Sequence, residues 1–345
     1  MTTLLNVLLC FLVMVLGVQS ATTCESFNSD KSKCLAATEN GVKCAYCTSG
    51  AVGSECLTET DAKGLPSSVF QCSYAAAKAT FVDTYKSELI LLDPSIVGSH
   101  VISPVPKVKS ANELPVSLDY RSLGLLTQDL NQHIPVYCGS CWAHAALSSL
   151  ADRLKIATKG TQRDLIPSVQ ALINCGNAGT CSGGDSNAAN AWVFKNGGIP
   201  DVTCQAYQAK NMECSAINTC MTCSSSGGCS AVTKFDQIQI AEFGHVEGDT
   251  EIMAEILARG PVSAYLNANC ILSYTGGINM YDTCNPLQIN HAVQLNGWGV
   301  ENGTEYWIAR NSWGTYWGEQ GFFRIVRGGK YQPGVAYWAA PVLPV

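Results

Sequence analysis

The stretch NQHIPVYCGSCWAH, residues 131–144, decides how this chain is read. A thiol attacks a carbonyl only as its thiolate, and an ordinary Cys is mostly protonated near neutral pH. Two devices lower its pKa, a helix N-terminus and a neighbouring imidazolium. Cys141 stands where the first device acts. Ser140 before it is a helix-capping residue type, and residues 141–159 form a helical run with a broad apolar face (Ala145, Leu147, Leu150, Leu154, Ile156) closed by Gly160.

The imidazole must come from elsewhere in the chain. Of the five His, His291 heads a strand-like run, INHAVQLNGWG, where a side chain can be held rigidly. Asn311 follows twenty residues later, ahead of Ser312 and Trp313. Its amide can accept from the imidazole and fix its tautomer, with Trp313 keeping water away. His100, His144 and His245 are read as structural.

Four segments resemble the signature segments of papain-like cysteine proteases: residues 131–144, CSGG at 181–184, NHAVQLNGWG at 290–299, and EYWIARNSWGTYWGEQGFFRI at 305–325. They fall in that family's order. The resemblance implies Cys141 as nucleophile, His291 as base and later acid, and Asn311 as orienter. Gln132 would supply the oxyanion donor together with the Cys141 backbone N–H. Gly183 and Gly184 would line the non-primed cleft, where a side chain would block substrate backbone. It also implies a disulfide between Cys138 and Cys181.

His133-Ile134-Pro135 after Gln132 resembles the short inserted loop of the cathepsin X (cathepsin Z) branch of that family, whose members are carboxypeptidases. GNAG at 176–179, YQAK at 207–210 and the cysteine cluster from 204 to 229 are similar to that branch. The implied role of His133 is to block longer substrates and to donate to a free C-terminal carboxylate. A charge-assisted hydrogen bond contributes about 1.5–3 kcal/mol, roughly ten- to a hundredfold in preference for acid over amide. Tyr137 and Trp313 are similar in position to residues lining that pocket. Asp185 is read as favouring basic groups on the non-primed side.

Outward from this centre, residues 1–20 read as a cleaved signal peptide with a signal anchor as the lesser option, because the apolar run is short for a membrane span. Residues 21–75 form a Cys-rich module. Residues 76–113 are a propeptide-like helix (76–92) and a Pro-containing linker, expected to be extended and open to proteolysis. Residues 114–345 are the peptidase domain. Within it, helices are expected at 167–174, 186–195 and 250–258, and strands at 262–266, 291–296, 306–309 and 322–326. Helices first and strands later predict an α+β fold of two lobes with the cleft between them. No reading is taken from the residues after Tyr331.

Cysteine usage supports export to a lysosome, vacuole or the exterior. Of 18 Cys, Cys10 leaves with the signal, six lie at 24–72 and eleven at 138–284. The six can pair among themselves. The eleven are odd, so with Cys138, Cys181, Cys175, Cys214, Cys204, Cys220, Cys223, Cys229, Cys270 and Cys284 in disulfides, Cys141 stays free. Capping of Cys141 by an N-terminal Cys would strand another, so steric blocking or linker cleavage is expected to control activity. Cys138-x-x-Cys141 leaves a thiol oxidoreductase as a rival reading. Cys44-x-x-Cys47 and Cys220-x-x-Cys223 leave half-sites for zinc, with disulfides expected instead. A third reading is a catalytically idle homologue that binds a partner through its Cys-rich module.

Lys plus Arg is 21 and Asp plus Glu is 27, a net charge of −6, which gives no reason to expect nucleic acid as partner. No metal or cofactor is expected. The expected partners are peptides and proteins with free C-termini, acted on by a monomer without a membrane span. Asn302-Gly303-Thr304 is a glycosylation sequon.

Overall fold

The computed structural model describes residues 23–50, 53–66, 69–74, 85–104, 106–108, 111–281, 284–328 and 334–343. The signal-peptide reading of residues 1–20 lies outside the described residues. No helix among the described residues is long and apolar enough to cross a membrane. The chain divides into two units, one up to Thr80 and one from Phe81.

The first unit is a small sheet stapled by cystines. Helix α1 (Lys31–Ala36) leads to β1 (Thr38–Glu39), β2 (Val42–Ser49) and β3 (Gly53–Thr58), then α2 (Glu59–Lys63) and β4 (Gln71–Tyr74). Strand β2 is central and pairs antiparallel with the other three. Its interior is built from Cys24–Cys44, Cys34–Cys56 and Cys47–Cys72 rather than from large apolar side chains. That suits a module too small to bury a sufficient core. Asp30 and Thr58 cap the two helices, each accepting from a backbone N–H three residues on.

The second unit is an α+β fold of two lobes. The helical lobe is built on α3 (Cys141–Ala157), α4 (Val169–Cys175) and α5 (Ser186–Lys195). Trp142, Leu147, Leu150, Leu172 and Val193 form its buried core. In the sheet lobe, β5 (Ile240–Glu247), α6 (Asp249–Arg259), β6 (Val262–Leu266), β7 (His291–Glu301), β8 (Thr304–Arg310), β9 (Phe322–Val326) and β10 (Val335–Pro341) follow in turn. The strands lie in the order β5–β10–β6–β7–β8–β9, every pair antiparallel. Ile252, Leu295, Trp298, Trp307, Phe323 and Trp338 fill its core.

The predicted helix at 186–195 and strands at 262–266 and 322–326 have the expected bounds. Other elements run longer or shift by a residue or two. The long strands β5 and β10 were not predicted. Ser140 does not cap α3 with its side chain. Its Oγ lies 2.7 Å from the Tyr207 hydroxyl and 3.3 Å from His144 Nδ1 instead. The helix ends at Ala157, two residues early, because Lys159 and Gly160 both take positive φ. Of the helix expected at 76–92, residues 76–84 lie outside the described residues. The remainder, 85–92, is not helical, and Leu89 forms a parallel bridge with Gly184.

The ten cysteines expected in disulfides pair as Cys138–Cys181, Cys175–Cys214, Cys204–Cys220, Cys223–Cys229 and Cys270–Cys284. Cys141 is the free cysteine among the described residues, and it is buried. Because Cys138 is held by Cys181, the C-x-x-C at 138–141 is not a dithiol pair, which removes the structural basis of the oxidoreductase reading. The zinc half-sites are likewise occupied by disulfides.

Candidate active site

Cys141 opens α3, and His291 opens β7. Leu266 at the end of β6 is the register partner of His291, so pairing with β6 fixes the backbone that carries the imidazole. Asn311 directly follows β8 and takes its backbone hydrogen bond from N–H to Gly321 O at 2.9 Å. The site therefore joins the first residue of a helix to residues on two adjacent strands.

The Asn311 amide has a fixed orientation. Its Oδ1 accepts from the Ser312 N–H at 2.8 Å and lies 2.8 Å from His291 Nε2. An oxygen there requires Nε2 to carry the hydrogen, so Nδ1 is the nitrogen turned toward Cys141. Both residues are buried, and the Trp313 ring lies 5.0 Å from the His291 ring, centroid to centroid. The Cys141 Sγ accepts from the Ala292 N–H at 3.3 Å.

Gln132 is equally fixed. Its backbone N–H donates to Ser312 O at 2.8 Å, and the Ser312 hydroxyl donates to its Oε1 at 2.6 Å. Its Nε2 is thereby turned the other way, donating to Cys138 O at 3.0 Å. The Tyr207 hydroxyl donates to the Gln132 carbonyl at 2.7 Å. Ser312 and Tyr207 were not singled out from the sequence, although Ser312 sits beside Asn311.

The second donation of Gln132 Nε2, at 2.8 Å, goes to the carboxylate of Glu88. Glu88 belongs to the 85–92 segment, and no sequence signal marked it. The Tyr85 hydroxyl donates to its Oε2 and the Tyr137 hydroxyl to its Oε1. His291 Nδ1 lies 3.6 Å from Oε2, and His133 Nε2 lies 3.9 Å from Oε1. Tyr85 also sits 2.9 Å from His291 Nδ1. Ligand atoms of Glu88, Cys141 and His291 all fall within 4.8 Å of one another.

This arrangement sets the electrostatics of the site. Burial pushes the Glu88 carboxyl up, but the neighbouring His133 and His291 imidazoles and the Tyr137 hydroxyl outweigh it and hold the group far below the usual carboxylate range. Burial and the Glu88 charge push the Cys141 thiol well above its ordinary value. The sequence predicted a lowered thiol pKa, and the structure has the opposite because the 85–92 segment covers the sulfur.

His133 stacks on Tyr137 with ring centroids 4.7 Å apart and planes 17° from parallel. Tyr137 is otherwise exposed, whereas Trp313 is fully buried against His291 rather than lining an open pocket. Gly183 has φ of +120°, and a Cβ there would come within 2.9 Å of the Glu88 carbonyl carbon. At Gly184 a Cβ would meet Ala178 O and the Trp142 ring at 2.6 Å. Backbone passes both glycines: Gly184 N–H donates to Glu88 O at 3.2 Å, and Ile90 N–H donates to Gly184 O at 3.0 Å.

Asp185 is not a surface acid facing substrate. It is buried, caps α5 by accepting from Ala188 N–H, and accepts from Leu92 N–H at 3.1 Å. His144 is buried under Tyr207, and burial lowers its pKa to about 4. His100 stacks on Phe194, and His245 lies 3.8 Å from Glu247. Asn302 is exposed in the turn joining β7 to β8.

The family described as papain family cysteine protease matches residues 114–341. Cathepsin Z of Onchocerca volvulus is 41% identical over 221 residues, covering 62% of this chain and 71% of that protein. A cathepsin L-like proteinase of Fasciola hepatica is 31% identical over 241 residues, covering 68% of each chain. Among solved structures, digestive procathepsin L2 proteinase from Tenebrio molitor larval midgut matches with a TM-score of 0.55 at 31% identity, covering 66% of this chain and 68% of that one. Procathepsin L 3 from the same tissue matches with a TM-score of 0.54 at 28% identity, covering 68% and 73%. Both of these structures are of procathepsins. The chain belongs to the papain family of cysteine proteases.

Proposed function

We propose that this peptidase removes single residues from the free C-termini of peptides, with Cys141 as nucleophile, His291 as base and acid, Asn311 as orienter and Gln132 as oxyanion donor. When the 85–92 segment leaves, the sulfur regains solvent and loses the Glu88 charge. Both causes of its raised pKa then vanish, and the N-terminus of α3 and the His291 imidazole favour the thiolate. Cys141 Sγ attacks the scissile carbonyl, and His291 Nδ1 passes its proton to the leaving amine. Water deprotonated by His291 then hydrolyses the acyl-enzyme.

The observation that carries the carboxypeptidase reading is the convergence of His133 and Tyr137 on one carboxylate oxygen, Oε1 of Glu88. Donors that satisfy a buried carboxylate in the intact chain can satisfy a substrate's C-terminal carboxylate once the cleft opens. Such a site discriminates against an amide, which offers these donors no charged acceptor. The 41% identity to a cathepsin Z supports the same reading.

Matched peptides ending in acid or amide, digested by the processed enzyme from pH 4 to 8 with mass readout, test it. Single-residue removal from the acid and little from the amide is expected. Equal cleavage of both, or internal cuts only, would sink the reading. His133→Ala should lower the acid-over-amide preference roughly ten- to a hundredfold while alkylation of Cys141 proceeds as before.

The Cys-rich module, residues 21–75, and the signal at 1–20 suit a chain routed through the secretory pathway to a lysosome, vacuole or the exterior. On that route Asn302 is exposed enough to carry a glycan. Expression in a eukaryotic secretory host should give an endoglycosidase-sensitive gel shift that Asn302→Gln removes. A shift that survives the substitution would place the glycan elsewhere.

A further inference from the structure

We propose that Gln132, His133, Tyr137 and His291 form a carboxylate site in the intact chain, and that Glu88 is its built-in ligand, locking the nucleophile until the chain is cut. The proposal rests on Cys141 and His291 being the reacting pair. It does not depend on whether the mature enzyme trims C-termini or cuts internally.

Backbone alone already fills the cleft, so a neutral side chain at position 88 would suffice for a steric block. The structure holds a charged one instead, 2% exposed. A buried carboxylate is costly unless partners answer it. Here both oxygens are answered, Oε1 by Tyr137 and His133 and Oε2 by Tyr85, Gln132 and His291. Four of these five partners stand outside the covering segment, in the residues that the mature site retains. The carboxylate therefore occupies the atoms that would otherwise contact a reacting substrate.

Glu88 is also held by backbone on both sides of the cleft. Its N–H donates to Asn290 O at 2.9 Å, next to His291, and its carbonyl accepts from Gly184 N–H. The same carbonyl lies 3.9 Å from Cys141 Sγ. One residue thus ties the sheet lobe to the helical lobe across the nucleophile, and its negative charge opposes formation of a second negative charge on sulfur. Occupation and quenching come from one side chain.

The test is alkylation of Cys141 by iodoacetamide in the full-length chain, confirmed uncut by intact mass. Glu88→Gln keeps the shape and removes the charge. It should be alkylated at least about tenfold faster than the wild type, the effect expected for losing charge-assisted hydrogen bonds. In Glu88→Ala, added acetate should slow alkylation saturably, while the wild type should not respond to acetate. A folded Glu88→Gln chain, shown by its thermal transition, that labels within twofold of wild type would overturn the proposal in favour of a steric block. So would a folded Glu88→Ala chain that acetate does not protect. Failure of the peptidase reading has a different signature, a Cys141 that stays unreactive in every chain, including one cut in the 93–113 linker.

Discussion

Gln132→Ala in the processed enzyme should lower kcat about 10²–10³-fold, with KM and the alkylation rate of Cys141 changing little. The negative charge that forms on the carbonyl oxygen exists only in the transition state and the tetrahedral intermediate. A donor aimed at that position therefore acts on kcat. Gln132 meets the geometric requirement because its amide cannot turn. Oε1 is held by the Ser312 hydroxyl at 2.6 Å, and the backbone N–H is held by Ser312 O at 2.8 Å. Nε2 is left facing the site, where it now binds Glu88 at 2.8 Å. Ser312→Ala keeps the donor but frees the amide to rotate, so an intermediate loss in kcat is expected. Steady-state kinetics on one acid-terminated peptide measures both. A fall of less than tenfold for Gln132→Ala would remove it as the oxyanion donor.

The reacting centre was legible in the sequence because its residues carry chemistry at positions the local pattern can place. Cys141 begins a helical run, His291 heads a strand-like run, and Asn311 precedes a Trp. Cysteine parity calls for one free thiol among the eleven at 138–284, and Cys141 is the one left once the other ten are assigned to disulfides. What could not be read has a common cause, which is partnership over long distances in the chain. Glu88 looks like one charge in a helical stretch, yet its partners are Gln132, Tyr137 and His291. Ser140 has the residue type of a cap, but Tyr207 claims its hydroxyl. Strand β10 reads as a short apolar run without clean alternation, which periodicity cannot assign. Its place is set by pairing with β5, over ninety residues earlier, and with β6. Asp185 shows the converse error: an acid beside the cleft glycines invites a substrate role, but its carboxylate is spent on the N-terminus of α5 and on Leu92.

Asp152→Ala should destabilise the peptidase unit by about 3–5 kcal/mol, the range for breaking a buried ion pair from one side. Asp152 lies on α3 and is fully buried. Oδ1 accepts from Thr127 N–H at 2.6 Å and from the Thr127 hydroxyl at 2.7 Å. Oδ2 accepts from Gln294 Nε2 at 2.6 Å and from Arg310 Nη1 at 3.0 Å. Removing the carboxylate leaves three donors without that acceptor and the buried Arg310 guanidinium without this counter-charge. Arg310 keeps Asp129 at 2.9 Å and the Thr127 carbonyl at 2.7 Å, which sets the lower rather than the upper part of the range. The placement gives the network a second consequence. Gln294 stands three residues after His291 on β7, Arg310 directly precedes Asn311, and α3 begins at Cys141. The ion pair therefore fixes the helix that carries the nucleophile against the two strands that carry the base and its orienter. A misplacement of reacting groups by about 1 Å can cost 10²-fold in rate. Asp152→Asn, which keeps the volume and turns an amide donor toward donors, should accordingly lower kcat/KM even at temperatures where the variant is folded. Denaturant midpoints with disulfides intact give the first effect, and kinetics on the folded variant give the second. A stability loss below about 1 kcal/mol, the scale of an exposed pair, would show that the Asp152 network does not hold the lobes. The register of the cleft would then rest on the other buried pair across the lobes, Arg153 to Glu255 at 2.9 Å, and Arg153→Met would be the substitution that moves it.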